Sequence, residues 1–155
     1  MPTIRLSTFI HAPSSVVFDL SRSIDLHQVS TKATHETVIA GRMSGLIELG
    51  ESVTWRAKHF GIYQQLTSKI TTFKKPDSFI DEMVAGAFKS FKHEHIFEQK
   101  EEGTNMIDIF HYVSPLGILG KIADLLFLKR YMKDLLVNRN LTIKKYAENE
   151  TCYLK

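Results

Sequence analysis

The sequence predicts an α+β domain in which a curved antiparallel sheet of about seven strands is followed by a long C-terminal helix, with two short helices after the first strand. Three observations lead there. The chain opens on a strand-like alternation, turn residues cut its middle into short runs, and an apolar stripe in steps of three and four occupies its last part.

Thr3 to Ile10 alternates so that Ile4, Leu6 and Ile10 share one side, the two-residue period of a strand. Pro13 interrupts it. Proline suits the first helical position, so Ser14 to Leu20 is expected to form a short helix with Val17, Phe18 and Leu20 inward. A second short helix is expected from a Ser23 cap to about Ser30, carrying Ile24, Leu26 and Val29. Strands then follow at about 34–41, 51–60, 62–73, 78–85, 88–99 and 103–113, separated by Gly41, Gly45, Gly50, Gly61, Pro76-Asp77, Gly86 and Gly103. Connections this short suit an antiparallel meander, not parallel crossovers. Gly41 to Gly50 is the least strand-like piece and reads as a loop or irregular edge.

The last helix is expected to start after Pro115, with Ile118, Ile122, Leu125, Leu128, Met132, Leu135, Arg139, Thr142 and Tyr146 on one face. About thirty residues would reach roughly 45 Å, enough to cross the concave side of a sheet. One domain over residues 1–149 is expected, with 150–155 as a frayed tail.

Hydrophobic residues at 43% and charged residues at 24% suit a globular protein and exclude a disordered chain. At 155 residues the chain can bury a core without disulfides or a metal. The net charge of +3 is dispersed, so nucleic acid is not an expected partner. A lone Cys152 and the lack of an apolar leader after Met1 point to the cytoplasm. Leu116 to Leu128 is too short to span a bilayer and holds Lys121 and Asp124, so no stable membrane insertion is expected.

Ile10-His11-Ala12-Pro13 followed by Val17-Phe18-Asp19-Leu20 resembles the opening motif of the START/polyketide-cyclase-like (SRPBCC) superfamily, where the first strand runs through Ala-Pro into the first helix. Val53-Thr54-Trp55, His59-Phe60-Gly61, Pro76 to Met83, Gly86-Ala87-Phe88, His93 to Phe97, Asp108 and Pro115-Leu116-Gly117 resemble a small bacterial single-domain subgroup of it. The resemblance implies a helix-grip fold with an apolar cavity between the sheet and the last helix. Members carry lipids, bind hormones or quinones, or cyclise polyketides, so it implies a cavity and leaves the chemistry open.

In a strand, residues two apart share a face. Phe91, His93, His95 and Phe97 therefore point together, as do Val53, Trp55, Ala57 and His59, and Phe79, Asp81 and Met83. Read as cavity-facing and joined by Asp108 and Tyr112, they supply the candidate ligand-binding residues Trp55, His59, Phe79, Asp81, Met83, Phe91, His93, His95, Asp108 and Tyr112. The polar members admit several roles. An Asp81–His or Asp108–His pair would form a self-satisfied interior network, or the group would orient the polar end of an apolar ligand. His93 and His95 would also suit a zinc ion, with His59, His111 or Asp108 as third ligand. A general base is the fourth role, with His93, His95 and Asp108 as catalytic candidates in a cyclase or hydrolase.

No nucleophile elbow, phosphate-binding loop or dinucleotide fingerprint occurs. Binding of a small apolar molecule, without a cofactor, is the reading taken forward. A cyclase or hydrolase and a regulatory interaction protein with a vestigial cavity stand as alternatives. The apolar run Leu116 to Leu128 is a plug for the cavity mouth, a lip that touches membranes transiently beside Lys121, Lys129 and Arg130, or a dimer patch. The protein is accordingly a monomer or a homodimer.

Overall fold

The computed structural model describes the backbone of residues 2–153 and the side chains of residues 2–149. Strand β1 (Thr3–Ile10) leads into helices α1 (Ser14–Ser21) and α2 (Ile24–Ser30) and a 3-10 turn at Lys32–Thr34. Strands β2 (Thr37–Gly41), β3 (Ser52–His59), β4 (Ile62–Lys74), β5 (Ser78–Ala85), β6 (Ser90–Lys100) and β7 (Gly103–Val113) come next. Helix α3 (Gly117–Ala123) passes through a π-helical segment (Asp124–Leu128) into α4 (Lys129–Tyr153). The seven strands form one antiparallel sheet in the order β1-β7-β6-β5-β4-β3-β2.

Two-residue alternation is visible as burial. Phe91, His93, His95 and Phe97 all face inward from β6, and Val53, Trp55 and Ala57 from β3. One apolar cluster surrounds Phe18 of α1, whose ring meets Phe73, Phe79 and Phe97 edge-on at 5.2–5.4 Å. A second groups Phe91, Phe110, Tyr112 and Leu136, with Phe88 packed against it. Ser23 caps α2 as expected, its hydroxyl accepting from the Leu26 amide at 3.2 Å. Residues 42–51 form the expected loop, pinned to the helices by the Ile24 amide donating to Gly45 and the Ile47 amide donating to Arg22.

Three expectations need correction. Pro13 stands one residue before the first helical residue, its carbonyl accepting from Val16 and Val17. The strand expected from 34 begins only at Thr37, because the 3-10 turn ends in His35 at φ 52°, a left-handed conformation that no strand accommodates.

The third concerns the stripe of the last helix. Its first members, Ile118, Ile122 and Leu125, are exposed, as is Tyr146, whereas the buried α4 positions are Leu136, Arg139, Asn140, Ile143 and Ala147. The slip is not a rotation of one face: Leu119 and Leu126 are exposed alongside Ile118, Ile122 and Leu125, so the run up to the π-helical segment has little packed against it. The α4 backbone runs to Tyr153, while the side chain of Cys152 and residues 154–155 of the anticipated frayed tail lie outside the described residues. Among the described residues no helix is long and apolar enough to cross a membrane.

Candidate functional site

Between the sheet and α4 lies a cavity of about 360 Å³. Trp55, Ala57 and His59 of β3 line one wall, Phe79 and Asp81 of β5 with Phe91, His93 and His95 of β6 line another, and Leu136 and Arg139 come from α4. The walls are mainly apolar, with Asp81, His93, His95 and Arg139 gathered in one cluster and Arg22, His27 and Glu36 also among the lining. Cavities of this size and make-up are typical of small-molecule sites.

Strand register assembles the polar group. Asp81 pairs with His93 and Phe79 with His95 across β5 and β6, while His95 pairs with Asp108 across β6 and β7. The imidazole Nε2 of His93 donates to Asp108 Oδ1 at 2.9 Å, and that of His95 donates to Asp81 Oδ1 at 2.8 Å. The two rings lie 3.8 Å apart, and His95 stacks on Phe79 at 4.2 Å.

Helix α4 closes the group from above. Arg139 donates to Asp108 Oδ1 at 3.3 Å, to Asn140 Oδ1 at 3.0 Å and to the Ser21 carbonyl at 3.1 Å. Asn140 donates to Asp108 Oδ2 at 2.7 Å. His95 Nδ1 stands between two groups: it accepts from Arg139 at 3.4 Å when the ring proton is on Nε2 toward Asp81, and donates to Asp108 Oδ1 at 3.2 Å when the proton is on Nδ1.

These contacts shift the ionisations. Burial, aided by repulsion from His95, pushes His93 down to about 4 against the pull of Asp108, so the imidazole is neutral at pH 7. Burial alone would raise Asp81. The hydrogen bond from His95 and the charges of His93, His95 and Arg139 outweigh it and hold the carboxyl below its ordinary range. Asp108, fully buried, is held well below that range despite burial, by the imidazoles of His93 and His95 and by the Arg139 charge.

The opposite end of the cavity is open. Phe60, Ala87 and Pro115 belong to the lining yet are exposed. Phe60 and Gly61 form the two-residue turn between β3 and β4, both at positive φ, as hairpins of type I′ require. A phenylalanine is strained there. Its ring rests 4.6 Å from Tyr131 and 5.5 Å from Phe127 of the last helix. Beyond it Leu116, Ile118, Leu119, Leu125 and Leu126 are all exposed, Leu125 to 87%. Among the described residues the plug expected from Leu116 to Leu128 is not formed: Leu126 is exposed, Phe127 is half-exposed against Phe60, and the wall residue of the run is Leu128.

Of the sequence-derived candidates, Trp55, His59, Phe79, Asp81, Phe91, His93 and His95 line the cavity. Asp108 stands behind the imidazoles and not on the cavity surface. Met83 and Tyr112 are not lining residues either: both belong to the aromatic cluster, where Phe88, Phe91 and Phe110 fill the space in front of Tyr112. Burial and the neighbouring Asp124 carboxylate raise the Tyr112 hydroxyl above its ordinary range.

The third ligand imagined for a metal is also different. His59 bonds Tyr131 through Nδ1 at 2.7 Å, and His111 meets Thr3 across β1 and β7, out of phase with Asp108. The carboxylate that converges with His93 and His95 is Asp81. Arg139 and Asn140 went unrecognised as site residues. Arg139 carries a signal, a cation on a mostly apolar stripe, since arginine is seldom buried without a partner; Asn140 carries none.

No protein-family model matches the sequence. No curated protein matches it either. Solved structures do. The protein TTHA0849 from Thermus thermophilus is similar at 18% identity and a TM-score of 0.71, over 92% of this chain and 97% of that one. The ginseng major latex-like protein 151 from Panax ginseng is similar at 19% identity and a TM-score of 0.69, over 94% and 97%. The di-domain ARO/CYC StfQ from the steffimycin biosynthetic pathway is similar at 12% identity and a TM-score of 0.75, with 96% of this chain on 52% of that one. The likeness is one of fold: the seven-stranded antiparallel sheet, two short N-terminal helices and long C-terminal helix make up a helix-grip fold.

Proposed function

We propose that the protein binds a small apolar molecule carrying one polar end, such as a lipid, quinone or polycyclic aromatic. The observation that carries this reading is the cavity itself: about 360 Å³ of mainly apolar space with the Asp81–His93–His95–Arg139 cluster in its wall. The apolar body lies between Trp55, Phe91 and Leu136, and the polar end meets the imidazoles. That helix-grip relatives include a domain of an aromatase/cyclase supports this class of occupant without naming the ligand.

The exposed lip supports a route of entry. Apolar side chains at Leu116, Ile118, Leu119, Leu125 and Leu126 stand beside Lys121, Lys129 and Arg130, a composition suited to brief contact with an anionic membrane surface. Phe60 and Leu116, two apolar residues held at positive φ, flank the same opening.

The single tryptophan, Trp55, lies in the cavity wall, so its fluorescence reports occupancy. Titration with fatty acids, quinones and polycyclic aromatics should change Trp55 emission saturably for at least one class. A flat response across the panel, together with an empty organic extract of the purified protein, would remove the binding reading. Turnover of a bound aromatic that is lost in His93→Gln while binding persists would move the assignment to a cyclase or hydrolase.

A further inference from the structure

We infer that Asp81, His93 and His95 form a binding site for a divalent cation of the zinc class, with its open coordination position facing the cavity. One nitrogen of each imidazole and one carboxylate oxygen lie within 4.8 Å of one another. Ligands about 2.0–2.1 Å from a tetrahedral zinc stand roughly 3.3 Å apart, so the separations of 2.8 Å from Asp81 to His95 and 3.9 Å from Asp81 to His93 bracket the required value. Shifts of a few tenths of an ångström to about one ångström would close the site.

The surrounding groups are arranged as a metal's outer shell. His93 commits its Nε2 proton to Asp108, which leaves the Nδ1 lone pair facing the Asp81 carboxylate. Two lone-pair sites thus face each other. A cation between them removes that repulsion, and a carboxylate on the far nitrogen is the usual device for fixing a ligating histidine.

His95 can follow. Its Nδ1 lies 3.2 Å from Asp108 Oδ1, so the ring proton moves from Nε2 to Nδ1 and is donated to Asp108, freeing Nε2 for the cation without net proton release. Arg139 then gives up His95 Nδ1 and keeps the Ser21 carbonyl, Asn140 and Asp108.

Charge points the same way. Asp81 and Asp108 both abut the imidazoles, and the Arg139 guanidinium hydrogen-bonds Asp108, whereas the hydrogen bond to Asp81 comes from His95. All three ligands line the cavity, so a fourth ligand would be water or, if the apolar-ligand reading holds, an oxygen of that ligand. The cation site itself does not depend on that reading.

The test uses the full chain, freed of metal with EDTA and titrated with cobalt(II). One equivalent should produce the visible bands of a four- or five-coordinate cobalt with nitrogen ligands, and zinc should displace it. Asp81→Asn should abolish the bands, Asp108→Asn should weaken binding roughly 10–100-fold, and His111→Gln, on the opposite face of β7, should bind like the parent. X-ray absorption of the zinc-loaded parent chain should show two imidazoles at about 2.0–2.1 Å, a result that needs no variant to fold. Failure of the parent chain to bind stoichiometrically, or cobalt bands unchanged in a folded Asp81→Asn chain, overturns the site. Trp55 titration in the EDTA-treated protein reports on the apolar ligand separately, so either inference can fail alone.

Discussion

Where β5, β6 and β7 face α4, the cavity wall is backed by a charged clasp in which Asp108 takes hydrogen bonds from His93, Arg139 and Asn140. At the mouth, the same terminal helical run offers bare leucines and isoleucines and strained apolar residues at Phe60 and Leu116. Both regions break a local rule. The clasp buries charge, and the mouth exposes hydrophobic surface. The difference shows where stability and access are held apart: the clasp fastens the helix to the sheet, and the mouth contributes little to folding and is free to meet ligand or membrane.

Breaking the clasp should have the largest effect. Arg139→Met leaves Asp108 buried without its permanent cation, and urea unfolding should register a loss of about 3–5 kcal/mol. A change below about 1 kcal/mol would mean that Asn140 and the imidazoles suffice.

Acid should loosen the same region by nearly as much. The unfolded His93 takes its proton near the ordinary value of 6.5, but the folded one resists until about 4, so the unfolded state binds more protons across that interval. In EDTA-treated protein, stability should therefore fall by up to about 3 kcal/mol as pH drops from 6.5 to 4. Asp81 and Asp108, whose folded values are depressed, should extend the loss below that range. Urea melts across pH check this, and His93→Gln should flatten the slope.

Filling the space between the two regions should separate binding from folding. Ala57→Phe places a ring in the cavity and should cost at least about tenfold in ligand affinity, or about 1.4 kcal/mol. A parallel collapse of the melting temperature would show instead that the wall cannot accept the ring. The smallest stability effect belongs to the mouth. Leu125→Glu with Leu126→Glu should change unfolding by under about 0.5 kcal/mol per site, yet abolish co-flotation with anionic vesicles. Undiminished flotation would detach the lip from any membrane role.

What the sequence determined alone follows from the strand period. Successive strand side chains alternate without drift, so the inward direction of Phe91, His93, His95 and Phe97, and of Trp55 and His59, was legible residue by residue. Turn residues marked the strand ends for a similar reason, since glycine at positive φ and proline act locally. Tertiary structure decided the rest. Which carboxylate meets which histidine depends on register between β5, β6 and β7, and so Asp81, not His59 or His111, completes the trio.

Helical phase is different again. Each residue turns the face by about 100°, so a small error of phase accumulates along the helix: the buried stripe falls on Leu136, Arg139, Asn140, Ile143 and Ala147, while Ile118, Ile122 and Leu125 stay in the open. Covalent geometry carries strand faces within a segment. Contacts between segments, and the buried face of a long helix, arise only when the chain is packed.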